Sequence, residues 1–177
     1  MIDQFNVKQI VVLNESHNSY GDFLPTKQRK LDFDEIEVVL DDINEEKYVK
    51  TCEITLNARG ICKKVSAKFA LLGWKTDAHA PPNLESVIEL WGALKIAGGN
   101  EIVTIACHDG VTASGLFLAI GFVIEKIKME HKVDVGLAVR TLRKAKPAFI
   151  STETQFGLLY EAAKFYLSSF ETYKNFK

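Results

Sequence analysis

The sequence predicts an α+β domain, a mixed and highly twisted sheet carrying helices on its faces in three layers. Three observations lead there. Short apolar runs rich in β-branched residues crowd residues 8–74, helical periodicities fill most of the chain after residue 113, and one buried strand, "EIVTIA" (101–106), feeds through a tight loop into the most apolar helix.

Taken in order, "KQIVVL" (8–13) reads as a short buried strand and "EIEVVLDD" (35–42) as another, separated by a loop-like stretch from Asn14 to Asp34 that holds Gly21 and Pro25. "YVKTCEITL" (48–56) and "KKVSAKFALLGW" (63–74) flank "NARG". Lys64, Ser66 and Lys68 alternate there with Val65, Ala67 and Phe69, the pattern of a hairpin with one wet face. Two prolines in "KTDAHAPPN" end the strand, Asn83 prepares the helix "LESVIELWGALKIA", and Gly98-Gly99 stops it. After the strand 101–106 come a nearly all-apolar helix from Ser114 to about Met129, an amphipathic one opened by Asp134 (Val135, Ala138, Val139, Leu142), and a last one from Thr152.

The chain has 177 residues, 47% hydrophobic and 25% charged, which suits one domain over residues 1–177 with one sizeable core. A formal charge of -1 gives no electrostatic bias toward nucleic acid or an anionic membrane. The longest uncharged apolar run, Gly115 to Ile124, is too short to span a bilayer, and "MIDQFNVKQ" has no basic-then-apolar leader. A soluble chain in the cytoplasm is the expectation. Cys52, Cys62 and Cys107 show no metal-binding spacing to one another or to His17, His79, His108 and His131, so reduced thiols are expected and neither a metal nor another cofactor.

The chemistry concentrates in "IACHDGVTASG" (105–115). Cys107 stands at the end of a strand and just ahead of a helix, where the positive helix end favours a nucleophilic thiolate. The amides between Asp109 and Ser114 are placed to converge on an anion. From its position alone, the same cysteine suits plain packing better, since free cysteine is among the most buried residue types.

This stretch resembles the phosphate loop of protein tyrosine phosphatases, His-Cys-x-x-Gly-x-x-Arg-Ser/Thr-Gly, with Cys107, Gly110, Ser114 and Gly115 in register. "QIVVLNE", "FALLGW", "FLAIGFVIEKIK", "VDVGLAVRTLRKAKPAF" and "LYEAAKFYLSSF" extend the resemblance along the chain. They are similar to the second, membrane-distal phosphatase domain of receptor-type enzymes, most nearly the MAM-containing type IIb class. The resemblance implies the fold read above, with Cys107 in the nucleophile position and a loop formed by Cys107, His108, Asp109, Gly110, Val111, Thr112 and Ala113, closed by Ser114.

The departures from that pattern bear on activity. Ala113 stands where the family has the arginine that grips the phosphoryl oxygens, and Ala106 where it has histidine. Asp109 adds a negative charge inside a loop meant for a dianion. The acid loop Trp-Pro-Asp falls on Trp74, Lys75 and Thr76, which leaves Asp77 as a displaced candidate acid. Of the two water-positioning glutamines, the first falls on Ser151 and the second on Gln155; Thr152-x-x-Gln155 is also a capping box. Met1 aligns just ahead of the strand "IVVL", so the resemblance implies a family domain truncated at its N-terminus.

The expected function is a pseudophosphatase, a regulatory or interaction module of a receptor; the alternative is a weak cysteine-dependent phosphatase. Expected partners are proteins, among them a neighbouring catalytic phosphatase domain or phosphotyrosine-signalling proteins, with no nucleic acid and no membrane contact. Arg140, Arg143, Lys144 and Lys146, with Phe165, Tyr166, Phe170 and Tyr173, mark the candidate partner surface.

Overall fold

The structure, a computed structural model, describes residue 2 and residues 4–14, 30–94 and 102–174, with side chains outside 69–73 and 170–174. Its strands are β1 (Gln9–Asn14), β2 (Lys30–Phe33), β3 (Ile36–Glu45), β4 (Val49–Ala58), β5 (Ile61–Trp74) and β6 (Val103–Ala106). Its helices are α1 (Leu84–Ala93), α2 (Thr112–Glu130), α3 (Val135–Ala145) and α4 (Glu153–Lys174). The strands form a mixed sheet in the order β2-β3-β4-β5-β1-β6, antiparallel from β2 to β5 and parallel where β1 pairs with β5 and β6.

The β4–β5 hairpin closes over Arg59 and Gly60, both at positive φ, with Ala58 facing Ile61. A two-residue loop needs that left-handed backbone to match the strand twist, and glycine adopts it without penalty. β1 lies between two parallel neighbours and is buried along its whole length, which explains its near-continuous apolar run.

Alternation along β1 divides the core. Val11 and Leu13 join Val49, Trp74 and the buried faces of the four helices, while Ile10 and Val12 join Val38, Cys52, Ile54, Val65 and Ala67 on the opposite face. Of the three layers expected, the sheet and one helical layer fall among the described residues. α2 is the centre of that layer, with Leu116, Phe117, Ala119, Ile120 and Val123 fully buried. Gly121 is required there: a Cβ would meet the Trp91 ring at 2.3 Å. Trp91 packs edge-on to Phe117 and donates to Glu125 at 3.0 Å.

Caps set the helix starts as expected. The Asn83 side chain accepts from Glu85 N–H, Asp134 from Leu137 N–H and Thr152 from Gln155 N–H. Two boundaries differ from the sequence reading. The stretch 14–34 contains a strand, β2, held by pairing with β3 rather than by its own apolar content. α2 begins at Thr112, two residues before Ser114, because the Asp109 carboxylate receives the amides of Val111 and Thr112 and starts the turn early. The expected stop of α1 at Gly98-Gly99 lies outside the described residues; α1 ends at Ala93, with Leu94 extended.

Candidate active site

The parallel strands β5, β1 and β6 end at one edge of the sheet, where open α/β sheets gather their binding loops. Their last residues are Trp74, Asn14 and Ala106. Asn14 joins the loops that follow its two neighbours: its Nδ2 donates to the Trp74 carbonyl at 2.9 Å and the Lys75 carbonyl at 3.5 Å, and its Oδ1 accepts from His108 N–H at 2.8 Å.

Cys107 follows β6, partly buried. Its sulfur accepts from Ser114 Oγ at 2.9 Å and from Ser114 N–H at 3.4 Å, so the first turn of α2 holds the thiol from beneath. Gly110 takes a positive φ of 65° and returns its N–H to the Cys107 carbonyl at 3.3 Å. The chain therefore doubles back in a tight turn.

Asp109 lies exposed on that turn and bonds back to it. Its Oδ1 accepts from the amides of Val111 and Thr112, both at 2.9 Å, and lies 3.3 Å from Cys107 Sγ; its Oδ2 accepts from the Thr112 hydroxyl. Burial pushes the Asp109 carboxyl upward in pKa, but the Thr112 hydroxyl, the two amides and the Cys107 thiol outweigh it and hold it well below the usual carboxylate range. The amides expected to converge on an anion thus already face one.

Ala113 points into the core, 2% exposed among Leu116, Phe117 and their neighbours. Lys146, from the end of α3, donates to the Gly110 carbonyl at 2.9 Å, and its charge rides over the Phe149 ring. Gln155 is buried on α4, with its Oε1 taking Ser151 N–H and its Nε2 donating to the Thr112 carbonyl. That is the cap of α4 and a tie to α2 in one side chain, and both ends of the amide are engaged.

Asp77 lies exposed in the turn after β5, where Trp74 Nε1 donates to the Ala78 carbonyl. Among the described residues Asp77 makes no hydrogen bond or ion pair. Thr76 and Ser151 are exposed, and Ala106 is half-buried at the end of β6. Asn14 and Lys146 were not among the predicted site residues. A polar residue closing an otherwise apolar strand was the available signal for Asn14.

Of the candidate partner surface, Arg143 donates to the carbonyls of Phe149 and Ile150 and Lys146 to that of Gly110. Phe165 is exposed and Tyr166 packs against the core, while the side chains of Phe170 and Tyr173 lie outside those described. Among the described residues no helix is long and apolar enough to cross a membrane.

The model of the protein-tyrosine phosphatase family matches residues 1–164. The chain belongs to that family. Its similar proteins include tyrosine-protein phosphatase Lar of Drosophila melanogaster, 32% identical over 123 residues, which is 67% of this chain and 6% of that protein. Receptor-type tyrosine-protein phosphatase F of Homo sapiens is 41% identical over 76 residues, 43% of this chain and 4% of the relative. Receptor-type tyrosine-protein phosphatase epsilon of Homo sapiens is 28% identical over 149 residues, 80% of this chain and 21% of the relative. The chain thus spans a small part of the length of these relatives, and it is a phosphatase-family domain related to receptor-type members.

Proposed function

We propose that this chain is a pseudophosphatase domain, a cytoplasmic regulatory or protein-interaction module of a receptor-type tyrosine phosphatase. The observation that carries the reading is Ala113, whose methyl group is packed in the core where the phosphoryl-gripping arginine belongs. A guanidinium would supply two charge-assisted hydrogen bonds to the phosphoryl group, each worth about 1.5–3 kcal/mol. Without them a phosphoryl group in transfer loses roughly 10²–10⁴ in affinity. Asp77 exposed in its turn, Thr76 in the acid position and Gln155 engaged at both ends of its amide support the same reading. These losses belong to one machine, so their costs do not add.

Placement as a second, membrane-distal domain, and in the MAM-containing type IIb class, is part of the same proposal and rests on the sequence blocks quoted above. Its partners would be proteins, including a neighbouring catalytic domain. Arg140 and Lys144, exposed on α3, are two cations that could meet an acidic partner.

One observation favours the rival reading, a weak cysteine-dependent phosphatase. Ser114 directs two hydrogen bonds at Cys107 Sγ, which would favour the nucleophilic thiolate. Hydrolysis of a small aryl phosphate by the purified domain, compared with Cys107→Ser, separates the two. The pseudophosphatase predicts no difference between them; turnover that vanishes with the cysteine would sink it.

A further inference from the structure

We propose that Asp109 is a tethered anion occupying the oxyanion position of its own phosphate loop, so that a contact within the chain closes this domain to free phosphate. The inference rests on the reading of the domain as a phosphatase fold without turnover and deepens it, because it names what fills the site.

A phosphoryl oxygen bound at such a loop takes backbone amides at about 2.7–3.1 Å and lies beside the nucleophilic sulfur. Asp109 Oδ1 meets both conditions, with the Val111 and Thr112 amides at 2.9 Å and Cys107 Sγ at 3.3 Å. An aspartate that merely capped α2 would need only the amides; here the same oxygen also receives the thiol. Each N–H has one proton to give, so these donors cannot serve a carboxylate and an incoming phosphate together. An arriving dianion would also meet the like charge of a carboxylate held ionised by its own hydrogen bonds.

The loop is built to keep this arrangement. The left-handed turn at Gly110 brings the side chain at 109 back over residues 111 and 112, and Lys146 grips the Gly110 carbonyl from outside. An entering anion therefore meets the Asp109 carboxylate, where active members rely on an arginine.

The test is calorimetric titration of inorganic phosphate into the full chain, its Asp109→Ala variant and its Asp109→Asn variant, with amide chemical shifts followed by NMR. Asp109→Ala is expected to bind phosphate on the order of tenfold or more tighter than the parent chain, with shifts centred on Val111 and Thr112. Asp109→Asn, which loses the charge and keeps an acceptor, should fall between. Equal affinity in the parent chain and the folded variants overturns the proposal, and so does a gain whose shifts map elsewhere. If Asp109→Ala does not fold, Asp109→Asn decides by the same two criteria. Aryl phosphate hydrolysis by the parent chain, measured on the same samples, tells the two failures apart. Cysteine-dependent turnover removes the non-catalytic reading, whereas a silent parent with no gain in either variant removes the occlusion alone.

Discussion

Asn14 Oδ1 accepts the backbone N–H of His108 at 2.8 Å across 94 residues of chain. The same carboxamide donates to the carbonyls of Trp74 and Lys75, so one buried side chain fixes the Cys107 loop against the turn that follows β5.

Replacing Asn14 by Ala should loosen both loops together. It leaves a loop amide and a buried carbonyl without this partner, a cost of about 1–3 kcal/mol. Hydrogen exchange is the measurement: amides at 75–78 and 107–110 should both lose protection, while those of α2 beyond its first turn keep theirs. Loosening at only one of the two loops would show that Asn14 does not couple them.

Arg143 should matter to stability and its neighbours on α3 should not. Ile150 is buried with φ of 54°, a conformation that a β-branched residue adopts only when its surroundings enforce it. The Arg143 guanidinium does so by holding the carbonyls of Phe149 and Ile150 at 3.1 and 2.6 Å. Arg143→Ala is expected to cost about 2–3 kcal/mol in denaturant unfolding, since hydrogen bonds to a charged group are the stronger kind. Arg140→Ala and Lys144→Ala should stay within roughly 0.5 kcal/mol of the parent chain. Equal effects at the three positions would remove the clamp from the argument.

The depressed carboxyl of Asp109 sets a sign for acid behaviour. A carboxylate whose pKa is lower in the folded state binds its proton more readily when unfolded, so its contribution is fully present above the ordinary aspartate value. That contribution fades as the pH falls through the folded value. Melting temperature measured from about pH 5 to pH 2 should therefore fall less steeply in Asp109→Asn than in the parent chain. Parallel curves would mean that the Thr112 hydroxyl and the loop amides do not hold the carboxylate in solution.

What was legible in the sequence was what local chemistry decides. Asn83, Asp134 and Thr152 cap helices because each lies two or three residues before an amide it satisfies, and the alternation of Lys64, Ser66 and Lys68 with Val65 and Ala67 marks a strand by itself. β2 was missed because Leu31 and Phe33 give too little apolar pattern, and the strand exists through pairing with β3. Asn14 and Lys146 reach the site from partners 94 and 36 residues away, a relation that no local pattern encodes. Asp109 was recognised as a charge in the wrong place. Its role as the bound anion depended on the turn at Gly110, which only the backbone shows.

Restoring the arginine should therefore work only in company. In Ala113→Arg alone, the new side chain starts from a buried position on the first turn of α2 and must leave the core to reach the loop, where the Asp109 carboxylate already holds the Val111 and Thr112 amides. The expected product is an internal ion pair, with phosphate affinity little changed. Removing Asp109 as well frees both the amides and the guanidinium, so the double variant Ala113→Arg with Asp109→Ala should bind phosphate more tightly than the two single effects combined. A double-mutant cycle on phosphate affinity measures that surplus, and residues in contact typically show coupling of about 0.5–3 kcal/mol. Turnover should remain near background in all of them, because Asp77 stays in its exposed turn and Gln155 stays engaged with Ser151 and Thr112. Simple additivity would place Ala113 and Asp109 in separate sites; strong binding by Ala113→Arg alone would show that the carboxylate gives way to an incoming anion.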